Sequence, residues 1–161
     1  MLKKRVEEAV NAQMNAELWS AQFYLSISLQ LSSEGLPGLA VWMCKQREKA
    51  LQRASRFMEY GISQGAKLSV SDIVDIPQEF GPPVEIFEYA LVHMMRMTDL
   101  IDMLVNIANT ENDHATVILL QEFVRRQVVD EAEISQLIVT LKRVGDGAGL
   151  VWLDDKLNPE K

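Results

Sequence analysis

The segment that decides the fold is residues 66–83, AKLSVSDIVDIPQEFGPP. It contains three prolines and one glycine and no sustained helical period, so it predicts a long connection and not a helix. On both sides of this segment, apolar residues recur three and four positions apart over long stretches, which predicts long helices. Two helical stretches before the connection and two after it indicate an all-α four-helix bundle with one long crossover between its second and third helices.

Glycine and proline also mark the ends of the individual helices. We expect helices at about residues 2–32, 37–64, 84–110 and 113–143 and a short fifth helix at about 150–157, all within one domain spanning residues 1–161. Pro37 suits the first turn of the second helix, because that position has no intrahelical use for a backbone N–H. The links after the first and third helices are short, so each of these helices forms an antiparallel hairpin with the next.

The composition of the chain excludes several classes of protein. With 161 residues, 48% hydrophobic and 24% charged, it is a globular sequence and not a disordered one. The formal charge of −7 argues against a nucleic-acid partner, which would require clustered lysine and arginine. One cysteine, Cys44, forms no internal disulfide. The sequence contains no apolar run of the kind that a signal peptide or a membrane span requires, so we expect a cytoplasmic protein.

Polar side chains interrupt the apolar seams of the predicted helices. Glu17 interrupts the seam of the first helix, and Gln127 and Asp130 interrupt that of the fourth. The second helix brings Arg53 to its seam, whereas the third passes through Met94 without an acid. Carboxylates from four helices, two of them in Glu-x-x-His pairs, form a di-iron site in bundles of this kind. The sequence supplies only part of that set.

A lone buried carboxylate is costly unless it meets a metal ion or a cation. We therefore expect Arg53 to form an ion pair with Glu17 and to fill the space that iron would occupy. In one alternative interpretation, Glu17 reaches solvent along a helix edge. In another, an active iron site uses other acids, such as Glu48, Asp99 or Glu131, because the helical phase is easily misjudged by one residue.

The only Glu-x-x-His pattern is residues 111–114, ENDH, at the junction of the third and fourth helices. There Asp113 is a candidate N-cap, and capping or chance explains the pattern better than a metal site does. His93 has alanine three positions before it, so we expect it to be a packing or surface residue.

Several stretches of the chain resemble a known family. They are QMNAELWS at residues 13–20 followed by Tyr24, GLPGLA at 35–40, FVRRQV at 123–128, and the segment 145–157. Together they resemble the first helix, first hairpin, fourth helix and short fifth helix of the bacterial non-haem ferritins, and the similarity extends over essentially the whole chain. The resemblance implies a ferritin-like fold and a cytoplasmic 24-mer cage that stores iron as a ferric mineral.

The resemblance also places the family's iron ligands on this sequence. Glu17 matches the first-helix ligand and Gln127 a residue beside the second iron, while Asp130 is a further remnant, so we expect the metal site to be weak or empty. Other side chains occupy the remaining centre positions (Ala50, Arg53 and Met94) and the accessory third iron site (Lys49, Arg126 and Val129, with Asp130). Leu51 stands where haem-binding relatives place methionine, so no haem is expected.

The resemblance thus implies an iron-storage subunit without a working ferroxidase centre, comparable to the light subunits of animal ferritins. Such a subunit forms either a homo-oligomer or a mixed cage with a catalytic ferritin subunit. The alternative from a different class is a structural or regulatory cage-former that has no role in iron metabolism.

Overall fold

The computed structural model describes residues 1–161 and contains five α-helices and no β-strand. The helices are α1 (Lys4–Ser33), α2 (Pro37–Ser63), α3 (Pro83–Thr110), α4 (His114–Val144) and α5 (Ala148–Leu157). α1 packs along α2 and α3 along α4, and the long segment between α2 and α3 joins the two hairpins. This arrangement confirms the predicted all-α bundle with one crossover and a short fifth helix. No helix is both long enough and apolar enough to cross a membrane.

The helix ends follow local chemistry. Pro37 and Pro83 both lie in the first turn of their helices, as expected for a residue without a backbone N–H. Gly145 has a positive φ of 70° and ends α4, because most other residues adopt that backbone conformation only with strain. α5 begins at Ala148, two residues earlier than the sequence predicted, so Gly149 lies inside its first turn.

α5 is attached to the beginning of α2 by a buried carboxylate. Asp154 is 4% exposed, and its Oδ1 accepts a hydrogen bond of 2.8 Å from the backbone N–H of Leu39. A carboxylate is favourable there, because the first turn of a helix presents unpaired N–H groups and a positive dipole end. Gly38 permits the close approach, since a Cβ at that position would lie 1.8 Å from the carbonyl oxygen of Asp154.

The crossover is held against α1 by a row of polar side chains. Asn15 donates to the carbonyl of Ser69 (2.9 Å) and accepts from the N–H of Ser71 (2.8 Å), and the indole of Trp19 donates to the carbonyl of Val74 (2.8 Å). These bonds satisfy backbone groups that have no partner within a regular element. The sequence predicted the connection but not this row. Its members on α1 are Asn11, Asn15, Trp19, Ser26 and Gln30.

The apolar core consists of two separate clusters, one at each end of the bundle. The larger one surrounds Phe23, Phe87 and Ile134, and the smaller one contains the stacked rings of Phe57 and Phe123, whose centroids are 4.4 Å apart. On α1, α2 and α4 the boundary between the two clusters falls at the polar positions identified from the sequence, and on α3 it falls between Met94 and Ile101. The fold therefore places these polar side chains in a layer at mid-bundle.

Candidate metal centre

Glu17 lies at the centre of the polar layer and is completely buried. Its Oε2 accepts a hydrogen bond of 2.9 Å from Nε of Arg53 on α2. Its Oε1 accepts a longer bond of 3.3 Å from the amide of Gln13, one helical turn earlier on α1. Both carboxylate oxygens thus have protein donors, and the stronger of the two is a guanidinium group.

Asp130 forms a second cluster of charges beside the first. Its Oδ1 is 3.2 Å from Nζ of Lys49 and 3.9 Å from Nε of Arg126, and its Oδ2 is 4.0 Å from Nη1 of Arg53. Three cations therefore converge on one carboxylate. The resemblance placed Lys49, Arg126 and Asp130 together at the accessory third iron site, but the sequence did not predict that they form ion pairs there. The available signal was that Lys49 and Arg53 on α2, like Arg126 and Asp130 on α4, are four residues apart and share a helix face.

On the α3 side, the layer contains Met94, which is 5% exposed, and Thr98 one turn later. The Thr98 hydroxyl lies 2.7 Å from Oε1 of Glu131 and 3.2 Å from Oε1 of Gln127. The sequence did not single out Thr98, because a threonine on a helix carries no metal-ligand signal of its own. Glu131 is thereby held by a hydroxyl group and not by a cation.

The other candidate positions named from the sequence differ in their burial. Ala50 is fully buried in the larger apolar cluster, whereas Val129 is 53% exposed. Glu48 and Asp99, offered as alternative ligands, are both exposed. The structure therefore does not bring these four positions together.

The space within the layer is small and its polar groups are satisfied. The cavity has a volume of about 10 Å³, which is about enough for one water molecule. No buried side-chain nitrogen or oxygen lacks a hydrogen-bond partner. No three His, Cys, Asp or Glu side chains lie close enough together to hold a metal ion. The residues present therefore do not fit a di-iron site, which requires several carboxylates free to bind metal. The cavity is lined by Tyr24, Gln46, Arg53, Met94, Met97, Gln127 and Asp130.

Burial and the arginine act in opposite directions on Glu17. Loss of solvent raises the pKa of the Glu17 carboxyl, and the Arg53 guanidinium lowers it through its charge and its hydrogen bond. Burial also raises the pKa of the nearby Tyr24 phenol. Arg53 is therefore the main group that favours the ionised form of this buried carboxyl.

His93 is a packing residue. Its ring centroid is 4.6 Å from that of Phe23 and 5.3 Å from that of Trp19, and Nε2 lies 2.8 Å from Oγ of Ser20. The Ser20 hydroxyl donates its one hydrogen to the carbonyl of Ala16, so the ring donates to Ser20 from Nε2. Burial, followed by the charges of Arg96 and Arg53, lowers the pKa of His93 to about 4.

This low pKa predicts a loss of stability in acid. The unfolded chain binds a proton at His93 below about pH 6.5, whereas the folded chain does so only near pH 4. The contribution of His93 to stability is therefore complete above pH 6.5 and falls by at most about 3 kcal/mol as the pH drops to 4. Urea unfolding at several pH values measures it. In His93→Phe the dependence over this interval should be weaker, and an unchanged dependence contradicts the assignment.

The Glu-x-x-His pattern at residues 111–114 is a helix junction. The Asp113 carboxylate accepts from the N–H and the hydroxyl of Thr116, at 3.0 and 2.7 Å, which confirms the predicted N-cap of α4. Glu111 faces the start of α1, where Lys3 and Arg5 each lie 3.9 Å away, and His114 is exposed. The pattern is thus explained by capping and by a contact between helix ends.

We expect Asp113→Ala to destabilise the protein by about 1 kcal/mol, because the first turn of α4 loses its side-chain acceptor. Thermal unfolding measures the change. The control is His114→Ala, which removes the histidine of the pattern and should leave the midpoint unchanged. If the unfolding midpoint falls equally in both variants, Asp113 is not the cap of α4.

Comparison with known proteins agrees with this architecture. Residues 7–144 match the family model of the ferritin-like domain. A bacterial non-heme ferritin of Bacteroides fragilis (strain 638R) is 38% identical over 157 residues, which make up 98% of each chain. A bacterial non-heme ferritin of Staphylococcus saprophyticus is 28% identical over 97% of this chain and 93% of its own.

Solved structures agree equally well. An Archaeoglobus fulgidus ferritin engineered into a closed form has a TM-score of 0.96 and 32% identity, covering 100% of this chain and 99% of its own. The open-pore ferritin of the same archaeon has a TM-score of 0.96 and 31% identity, with complete coverage of both chains. These matches confirm the ferritin-like fold and the resemblance noted in the sequence. The chain therefore belongs to the ferritin family and is related to the bacterial non-heme ferritins.

Proposed function

We propose that this chain is an iron-storing cage subunit that does not itself oxidise iron at a di-iron centre. The single observation that carries this proposal is the contact of 2.9 Å between Nε of Arg53 and Oε2 of Glu17. The subunit assembles into a 24-mer, either alone or mixed with a catalytic ferritin subunit. Its membership of the ferritin family supports the storage and assembly part of the proposal.

The charges in the layer support the absence of iron chemistry. Arg53 binds the Glu17 oxygen that a first iron ion would need. Lys49 binds Asp130, and Arg126 lies 3.9 Å from the same carboxylate. A ferrous ion entering this layer would meet the largely buried Arg53 guanidinium, whose repulsion the low local dielectric strengthens, and would also be repelled by the more exposed Lys49 and Arg126. It would also have to displace an arginine that compensates a buried carboxylate, at a cost of several kcal/mol.

Oxidation of Fe(II) by the purified iron-free assembly tests the proposal. In air, the initial rate with protein should equal the rate in buffer alone, and Glu17→Gln should give the same rate as the unchanged chain. A rate well above that of buffer, which falls in Glu17→Gln, is incompatible with the proposal. The acids Glu48, Asp99 and Glu131 would then be the next positions to replace.

The second candidate function is a structural or regulatory cage that has no role in iron metabolism. The observation that favours it is that α2 and α4 present lysine and arginine around the layer, which disfavours cations. Iron content after growth in iron-rich medium separates the two candidates. A cage filled with ferric mineral supports storage, and an empty cage supports the structural function.

Two further proposals concern cofactor and compartment. We propose that the assembly holds no haem, because the position of the haem-ligating methionine is occupied by Leu51, which packs against the larger apolar cluster. We also propose a reducing, cytoplasmic location, because the single cysteine, Cys44, is a free thiol. Absorbance of the purified protein in the Soret region tests the first of these.

A further inference from the structure

A second cavity lies between α2 and α4, next to the polar layer. Its volume is about 260 Å³, slightly below the range of sites for drug-sized ligands. Four of its six lining residues are cationic and none is acidic. The lining residues are Lys49, Gln52, Arg53, Arg56, Phe123 and Arg126. Each of these cations also lies within 4.0 Å of a carboxylate, so the wall of the cavity is distinguished by its hydrogen-bond donors and not by a net positive charge. The carboxylates are Glu17, Glu122, Asp130 and Glu133.

The arginines of this wall keep much of their hydrogen-bonding capacity free. Arg53 and Arg56 each bind a carboxylate through Nε, at 2.9 Å to Glu17 and 3.0 Å to Glu122. The terminal nitrogens of both guanidinium groups make no hydrogen bond within the chain. Since a guanidinium group has five N–H donors, four remain on each of these side chains.

The guanidinium group of Arg126 makes no hydrogen bond to a carboxylate. Its closest approach to a carboxylate is 3.9 Å, from Nε to Oδ1 of Asp130, which is too long for a hydrogen bond. That carboxylate is already bonded to Lys49 at 3.2 Å. The wall therefore presents the unused donors of three arginines to one cavity.

We propose that this cavity binds a small, multiply charged oxyanion of the phosphate class. The planar guanidinium groups of Arg56 and Arg126 can each donate paired N–H bonds to oxygen atoms of a tetrahedral anion. The side-chain amide of Gln52 supplies a neutral donor. The cavity has ample room for such an anion. The proposal concerns the iron-free protein and does not depend on whether the chain stores or oxidises iron.

Isothermal titration calorimetry of the iron-free assembly with inorganic phosphate tests the proposal. Each titration is paired with sodium chloride at equal ionic strength. We expect saturable binding of phosphate, no saturable binding of chloride, and weaker phosphate affinity as the salt concentration rises. Absence of saturable phosphate binding by the unchanged protein overturns the proposal, and this result needs no variant.

Variants locate the site. Arg126→Gln and Arg56→Gln should each weaken phosphate binding by about tenfold, because each removes one charge-assisted donor pair. The matched control is Arg125→Gln, which removes the same charge from the adjacent, exposed position of α4 that does not line the cavity. Affinity should not change in this control. Equal losses in Arg125→Gln and Arg126→Gln, or no loss in Arg126→Gln, would mean that the anion binds elsewhere.

Discussion

Arg53→Ala is expected to lower the free energy of unfolding by about 3–5 kcal/mol, the range found when one partner of a buried ion pair is removed. Glu17 is completely buried, and its only other side-chain donor is the amide of Gln13 at 3.3 Å. Without Arg53 the carboxylate is left with no cation in contact. For a chain of this size, such a loss lowers the melting temperature by roughly 6–20 °C.

The loss of stability in Arg53→Ala should depend on pH and on the presence of the Glu17 carboxyl. Without the arginine, the pKa of the folded-state carboxyl rises further above its unfolded value. A carboxyl whose pKa is higher in the folded than in the unfolded state stabilises the protein at low pH. This contribution is lost as the pH rises through the folded-state pKa. The deficit of Arg53→Ala should therefore be smallest in acid and largest near neutral pH. Adding Glu17→Gln should recover part of the loss at neutral pH.

Arg56→Ala is the matched control for Arg53→Ala. Arg56 binds Glu122 at 3.0 Å, a geometry similar to that of Arg53 with Glu17, but both side chains are about half exposed. Exposed pairs of this kind contribute at most about 1 kcal/mol. If Arg53→Ala costs no more than Arg56→Ala, Glu17 does not depend on Arg53 for its charge compensation.

The second large effect is a gain of metal binding. The triple variant Ala50→Glu, Arg53→His and Met94→Glu places two carboxylates and an imidazole near Glu17 and removes the guanidinium group. We expect it to be less stable than the unchanged chain without metal, because its new carboxylates are buried. Co(II), as a probe, should stabilise it by about 2.7 kcal/mol at one hundred times the dissociation constant. Thermal unfolding with and without Co(II) measures this, and the unchanged chain should show no shift.

The double variant Ala50→Glu and Met94→Glu is the control, because it adds the carboxylates and keeps Arg53. We expect it to bind Co(II) much more weakly than the triple variant, since Arg53 still competes for Glu17. Equal cobalt-dependent stabilisation of the two variants would show that Arg53 does not exclude metal.

The sequence predicted the helices and the crossover well, because glycine and proline divide long periodic segments. It also directed attention to Glu17 and Arg53, which interrupt apolar seams and therefore stand out. The resemblance placed Lys49, Arg126 and Asp130 at one accessory site, but the sequence did not predict their ion pairs, since these depend on how α2 and α4 are rotated against each other. Nor did it predict the crossover contacts of Asn15, because a polar residue on the outer face of a helix is usually solvated.

Diffraction from crystals soaked anaerobically in Fe(II), recorded at the iron absorption edge, tests the central claim most directly. The prediction is that no anomalous peak appears in the polar layer and that Arg53 remains in contact with Glu17. An anomalous peak at coordination distance from the Glu17 carboxylate, with Arg53 displaced, would contradict it.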